Sequence, residues 1–196
     1  MPRFSADRPL ASLEEYLRLE QTSATRHEFH DGEVLAMSGG TLDHSTIATN
    51  LTAGLRALLR NRPCRVNDSN LRVATESTGR FVYPDATVFC GEPRFHAGDP
   101  HRTTLVNPRV VFEVLSPSTE AYDRGEKFRQ YRAIGGFEEY VLISSTEPLV
   151  ESHLRGTPEA WDHKAWTGLD TTARVRCLEL DLPLRELYEN VGFSPG

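Results

Sequence analysis

The chain has 196 residues, 38% of them hydrophobic, and a formal net charge of −6 at pH 7. That length suits one well-buried core and is short for two. The acidic balance argues against a protein that coats nucleic acid without specificity. It is compatible with a site whose acids hold a divalent cation, because the cation brings its own positive charge. No stretch approaches the roughly 20 apolar residues of a membrane-spanning helix, and Met1 to Leu10 hold no apolar signal-peptide core. The chain is therefore read as cytoplasmic.

Ser12 with Glu15 three residues on forms a capping box, and the spacing predicts a first helix over 12–20 with Leu13, Tyr16 and Leu17 as its apolar stripe. Asp31-Gly32 is a two-residue hairpin signal, so short strands are expected on either side of it. Ser38-Gly39-Gly40 reads as a loop. A second helix is expected over 43–60, with Ile47, Leu51, Leu55, Leu58 and Leu59 on its buried face and Pro63 beyond its end. Residues 64–74 and 80–90 read as two strands joined near Ser77-Thr78-Gly79, and the proline- and glycine-bearing stretch 91–108 reads as a loop or insertion. Arg109 to Leu115 is a nearly continuous apolar run, the pattern of a central buried strand. A third helix is expected over 124–134, capped by Asp123 with Glu126 and stopped by Gly135-Gly136. Strands at 140–144 and 149–154 are expected to pair, followed by a strand at 174–180 and a short helix near 184–188. No repeat or linker interrupts the chain, so one α/β domain is expected, with the extreme termini peripheral.

Three acids and bases stand out against this pattern. Glu113 interrupts the apolar run Val110 to Leu115, and an ionised carboxylate there needs a partner, since leaving it bare in the interior is costly. Asp85 follows Tyr83-Pro84 inside another apolar run. Proline has no amide donor, so the ladder breaks just before Asp85 and its side chain can be aimed into a cleft. Lys127 sits mid-face on the third helix: Tyr131 falls about 40° to one side and Ile134 about 20° to the other, while Arg129 and Arg132 lie opposite. The basic residues include only two lysines, Lys127 and Lys164. Two carboxylates, Asp85 and Glu113, can hold one or two Mg²⁺ ions, with Mn²⁺ as a substitute, and a nearby ammonium can orient water or neutralise charge; this set suits phosphodiester hydrolysis.

Other features point elsewhere. Cys64, Cys90 and Cys177 are too far apart in sequence for zinc-type spacing and are expected as free thiols. His27 and His30 flank Glu28, but i and i+3 on a strand face opposite ways. Ser116 and Ser118 lack a nucleophile elbow and read as turn residues. No glycine fingerprint of a nucleotide-driven motor is present. Arg56, Arg60, Arg62, Arg65 and Arg72 are the candidate DNA-backbone surface.

The pieces Tyr83-Pro84-Asp85, Phe112-Glu113-Val114-Leu115-Ser116-Pro117-Ser118-Thr119 and Asp123-Arg124-Gly125-Glu126-Lys127 closely resemble the Uma2 family of endonucleases, within the PD-(D/E)XK superfamily. The likeness extends to Arg26 through Glu33 and to Glu138 through Leu142, covering residues 10–155. It implies a restriction-endonuclease-like fold, a mixed sheet flanked by helices, and Mg²⁺-dependent hydrolysis of DNA by a homodimer. It matches Asp85 and Glu113 to the metal-binding acids. The superfamily's lysine normally follows the second acid by two residues, where this chain has Leu115; Lys127 is the matching lysine, moved to the helix. The resemblance also gives Glu28 and His44 assisting roles. Two rivals remain beside a DNA nuclease: a non-catalytic binding module on the same fold, and a nuclease acting on RNA.

Overall fold

The computed structural model describes residues 10–37, 39–157 and 160–193. The expected loop at Ser38-Gly39-Gly40 is described from Gly39 on; Ser38 and the two chain ends lie outside the described residues. Among the described residues no helix is long and apolar enough to cross a membrane.

The chain opens with α1 (Leu13–Thr22), begun by the expected Ser12/Glu15 capping box. The hairpin of β1 (His27–His30) and β2 (Glu33–Ala36) turns at Asp31 and Gly32, which both adopt positive φ, 52° and 93°. Helix α2 (Leu42–Leu58) buries Ile47, Leu51 and Leu55, while Leu58, expected on that face, is 39% exposed.

The stretch 64–90 departs most from the sequence pattern. Each of the two expected strands is broken in the middle, giving β3 (Cys64–Asp68), β4 (Arg72–Thr75), β5 (Arg80–Val82) and β6 (Ala86–Cys90). The inner halves β4 and β5 pair with each other in a five-stranded sheet, order β2-β1-β5-β4-β7, where β7 is Thr104–Leu105. The outer halves β3 and β6 pair in a second sheet. The breaks fall at Ser69 to Leu71 and at Tyr83-Pro84-Asp85, so the chain crosses between sheets beside Asp85. Propensity alone sees one apolar run; the partner strands decide where it divides.

The second sheet has six strands, order β11-β10-β9-β8-β6-β3, with β8 (Val110–Leu115), β9 (Glu139–Ser144), β10 (Leu149–Arg155) and β11 (Trp161–Thr167). Strands β8 and β9 are parallel, so a crossover joins them. That crossover contains α3 (Glu120–Tyr122), a π-helical turn (Asp123–Lys127) and α4 (Phe128–Arg132). Asp123 therefore lies inside the helical run and is not its N-cap, a place taken by Thr119, because the helix starts at Glu120. Strand β11 has no counterpart in the sequence reading; its exposed polar residues hide the alternation. The expected strand at 174–180 is instead a hairpin of β12 (Thr172–Val175) and β13 (Leu180–Pro183), followed by α5 (Leu184–Leu187).

Alternation along β8 builds two cores. Val110, Phe112 and Val114 pack with Ile47, Leu51 and Leu55 of α2 and with the C-terminal hairpin. Val111 and Leu115 face the other way, onto Tyr131, Ile134, Phe137 and Tyr140 and onto Val73 and Val82 of the first sheet. Glu113 shares that second face, between the two sheets. A third cluster of Tyr16, Leu17, Phe29 and Phe81 fixes α1 on the first sheet.

Cys64 and Cys90 are joined as a disulfide, with Cα atoms 3.9 Å apart, which corrects the expectation of free thiols. They are register partners on antiparallel β3 and β6; a separation of 26 residues excludes a tight metal motif but not cross-strand contact. Cys177 is free.

Candidate active site

The end of β8, the break before β6, the start of α2 and the π turn converge on one place between the sheets. Register along β6 and β8 pairs Ala86 with Phe112, and one step further sets Asp85 opposite Glu113. Where the ladder would continue, the backbone N–H of Val114 donates to Asp85 Oδ2 at 2.7 Å. Pro84 ends regular pairing, and the Asp85 carboxylate takes over the free donor. His44, in the first turn of α2, places Nε2 3.4 Å from the same oxygen. This hydrogen bond raises the pKa of His44 against the opposing effect of its burial. A Cβ added to Gly40 would lie 2.8 Å from His44 Nδ1, so a glycine there lets the loop close over the imidazole.

Glu113 is 3% exposed. Its Oε1 accepts from the Tyr131 hydroxyl at 2.9 Å and lies 2.9 Å from Lys127 Nζ. Lys127 is 6% exposed, as its place on the apolar helix face implies. Its ammonium also lies 3.5 Å from Asp123 Oδ1 and 3.6 Å from Glu28 Oε1. Burial works against that charge, but Glu113, Glu28 and Asp123 outweigh it and hold the ammonium well above the usual lysine range. One ammonium does not neutralise this many acids. Burial, followed by the crowding of Asp123 and Asp85, pushes Glu113 well above the usual carboxylate range despite Lys127.

Glu28 reaches the site from β1. The backbone N–H of Tyr83 donates to Oε1 at 3.3 Å, and the Tyr122 hydroxyl donates to Oε2 at 3.3 Å. Burial opposes its charge, yet Lys127 and His30 keep its pKa lowered. His30 contacts Tyr122, with Nε2 2.8 Å from the hydroxyl oxygen, while His27 turns away to Glu20. The two histidines point apart, as strand geometry requires.

The structure thus brings Asp85, Glu113, Lys127, Glu28 and His44 together. Sequence reasoning missed Asp123, Tyr131 and Tyr122. The signal for Asp123 was available: it precedes Lys127 by four residues and so shares its helix face. The arginine surface comes only partly: Arg56, Arg60, Arg62 and Arg65 are exposed, but Arg72 is 3% exposed and faces Asp99, Thr103 and Thr104 inside the protein. Ser116 and Ser118 make only turn contacts, with Ser116 Oγ accepting from the Thr119 N–H.

Comparison with known proteins follows the same lines. A protein of Synechocystis sp., "Uncharacterized protein slr1290", is 37% identical over 158 residues, 80% of each chain. A second from the same organism, "Uncharacterized protein sll1609", is 30% identical over 147 residues, 75% of this chain and 82% of the relative. The crystal structure of "a putative nuclease belonging to DUF820" from Anabaena variabilis superposes with a TM-score of 0.72 over 92% of this chain and 98% of that one, at 19% identity, and shares the fold. Residues 13–185 match the family model described as "Uma2: Putative restriction endonuclease". The chain belongs to the Uma2 family.

Proposed function

We propose that this protein is a Mg²⁺-dependent endonuclease that hydrolyses DNA phosphodiester bonds at the site built around Asp85, Glu113 and Lys127. One observation carries the reading: a buried ammonium stands among Glu113, Asp123 and Glu28, with Asp85 one register step away. The surplus of negative charge fits a divalent cation. Among the described residues no three His, Cys, Asp or Glu side chains are grouped to cage a metal. Mg²⁺ uses one or two carboxylates and keeps several waters, so two carboxylates would be enough for it. The oxygen-only pair Asp85 and Glu113 would hold it, and Mn²⁺ could replace it. When bound, the ion polarises the phosphate and acidifies a bound water.

This chain's own residues do the rest. The Val114 N–H fixes the Asp85 carboxylate and the Tyr131 hydroxyl fixes that of Glu113, so both oxygens are oriented before any ligand arrives. Lys127, held as an ammonium by its acids, would donate a hydrogen bond to the attacking water or balance charge on the phosphate. Glu28 holds Lys127 from the first sheet. His44, the more open side of the site with Asp85, would face the phosphate.

The test is cleavage of plasmid DNA, single-stranded DNA and RNA with Mg²⁺, Mn²⁺ or a chelator. DNA strand breaks that need the metal are expected. Cleavage of RNA alone would overturn the choice of substrate. Binding of DNA without cleavage under every condition would replace the reading by that of a non-catalytic module.

A further inference from the structure

Asp123 is 4% exposed and is not one of the acids matched to the metal. Its place is unusual in two ways. It opens a π-helical turn whose last residue is Lys127, and such turns concentrate at functional sites. The turn is braced from β9, where the Tyr140 hydroxyl donates to the Asp123 carbonyl at 3.0 Å. Asp123 and Lys127 are therefore two ends of one small rigid unit. The other acids around the ammonium come from different strands, Glu113 from β8 and Glu28 from β1.

Lys127 already touches Glu113 at 2.9 Å, and one carboxylate suffices for a structural ion pair. A third buried acid, beyond Glu113 and Glu28, has a desolvation cost and is better explained by a task. Burial together with Asp85 and Glu28 raises the pKa of Asp123, although Lys127 and the Thr119 side chain favour its charge. A carboxylate engaged by a divalent cation has less charge left for an ammonium. Without Asp123, an ammonium anchored on Glu113 would then be loosened at the moment it is needed, with Glu28, 3.6 Å away on the first sheet, as its remaining acid. Asp123 removes that dependence, because it holds the ammonium from the lysine's own helix.

We propose that Asp123 is a positioning residue, keeping the Lys127 ammonium in place independently of Glu113 through the π turn that joins them. The proposal rests on the nuclease reading above for its purpose but is tested without it. The chain has two lysines, and Lys164 is exposed on β11. Lys164→Arg protein grown with ¹⁵N-lysine therefore gives a single side-chain ammonium signal, that of Lys127, readable in the metal-free protein. Slow exchange of its protons with water is expected. Asp123→Asn should speed that exchange measurably, because the ammonium loses a buried acidic partner. Asp123→Glu keeps the charge at a displaced position and should fall between the two. It carries the test by itself if Asp123→Asn does not fold, and wild-type exchange in it then overturns the proposal.

Single-turnover cleavage supplies the second readout. Asp123→Asn should slow it by about 10- to 100-fold with the Mg²⁺ requirement nearly unchanged, and should cost nothing more in a Lys127→Ala background. Unchanged ammonium exchange in Asp123→Asn overturns the proposal. So does a rate loss that repeats in full without Lys127, or a raised Mg²⁺ requirement, which would make Asp123 a ligand. If the unaltered protein cleaves nothing, the nuclease reading falls while the ammonium measurement still decides for or against Asp123.

Discussion

Two buried cations, Arg72 and Lys127, occupy the same protein in different company. Arg72 bonds Thr104 at 2.8 Å, Thr103 at 3.2 Å and Asp99 at 3.4 Å, stands 3.7 Å from Glu20, and lies over the rings of Tyr16, Phe81 and Tyr83. Asp99 is itself saturated by donors from His101, Thr103 and Thr104. These hydrogen bonds and Arg72 overcome its burial and keep its pKa below the usual carboxylate range. Lys127 has more acids and fewer other partners, and Glu113 and Asp123 are pushed above that range. Tyr83 touches both clusters, its hydroxyl bonded to Glu20 and its N–H to Glu28. A balanced cluster anchors α1 to its sheet; a cluster with surplus negative charge is where the proposed cation would bind.

The largest expected effect separates the two regions at once. Asp85→Asn or Glu113→Gln should lower single-turnover cleavage by about 10³-fold or more, since each removes a charge that the ion needs. Thermal melting of the metal-free protein should not fall for Glu113→Gln. The change removes an acid whose burial is poorly compensated, and Lys127 keeps Asp123 and Glu28. Unchanged cleavage in either variant would count against the site.

The mirror experiment acts on the balanced cluster. Arg72→Ala leaves Asp99 and Glu20 buried without their cation, and should cost about 3–5 kcal/mol of stability in denaturant melts. Cleavage per folded molecule should stay as in the unaltered protein. A variant that melts normally but cleaves poorly would break the comparison.

The smallest effect is acid sensitivity. The pKa of Asp99 is depressed in the folded state, so its contribution to stability is complete above the unfolded value of about 4 and is lost as pH falls through the folded value. Asp99→Asn should flatten the decline of melting temperature below about pH 4. An unchanged decline would show that Asp99 contributes little to it.

How far the sequence reveals all this depends on how local the cause is. The capping box at Ser12, the hairpin at Asp31-Gly32 and the inward face of Lys127 are set by neighbours within a few residues, and the structure has them. The division of 64–90 between two sheets is set by β8 and β1, far off in the chain, and no local pattern announces it. Asp85, Glu113 and Lys127 were legible because each contradicts its apolar surroundings. Asp123 carried a signal too, four residues before Lys127 on one helix face, but a helix cap explained it too readily. Arg72 was misplaced for a related reason: an arginine near other arginines looks like surface, and the acids that enclose it come from α1 and from the loop near Asp99.

The central claim is that the buried lysine acts on the reacting atoms and does not merely neutralise its acids. Single-turnover cleavage by Lys127→Arg, beside Lys127→Ala and with melting curves for both, tests it most directly. Arginine keeps the charge but is planar and larger, so it cannot set a compact ammonium at the same point. Both variants are expected to lose about 10²- to 10³-fold in rate, with Mg²⁺ affinity nearly unchanged because lysine is not a ligand. Full activity in Lys127→Arg, with a loss of stability rather than rate in Lys127→Ala, would contradict the account and leave Lys127 a structural counter-ion like Arg72.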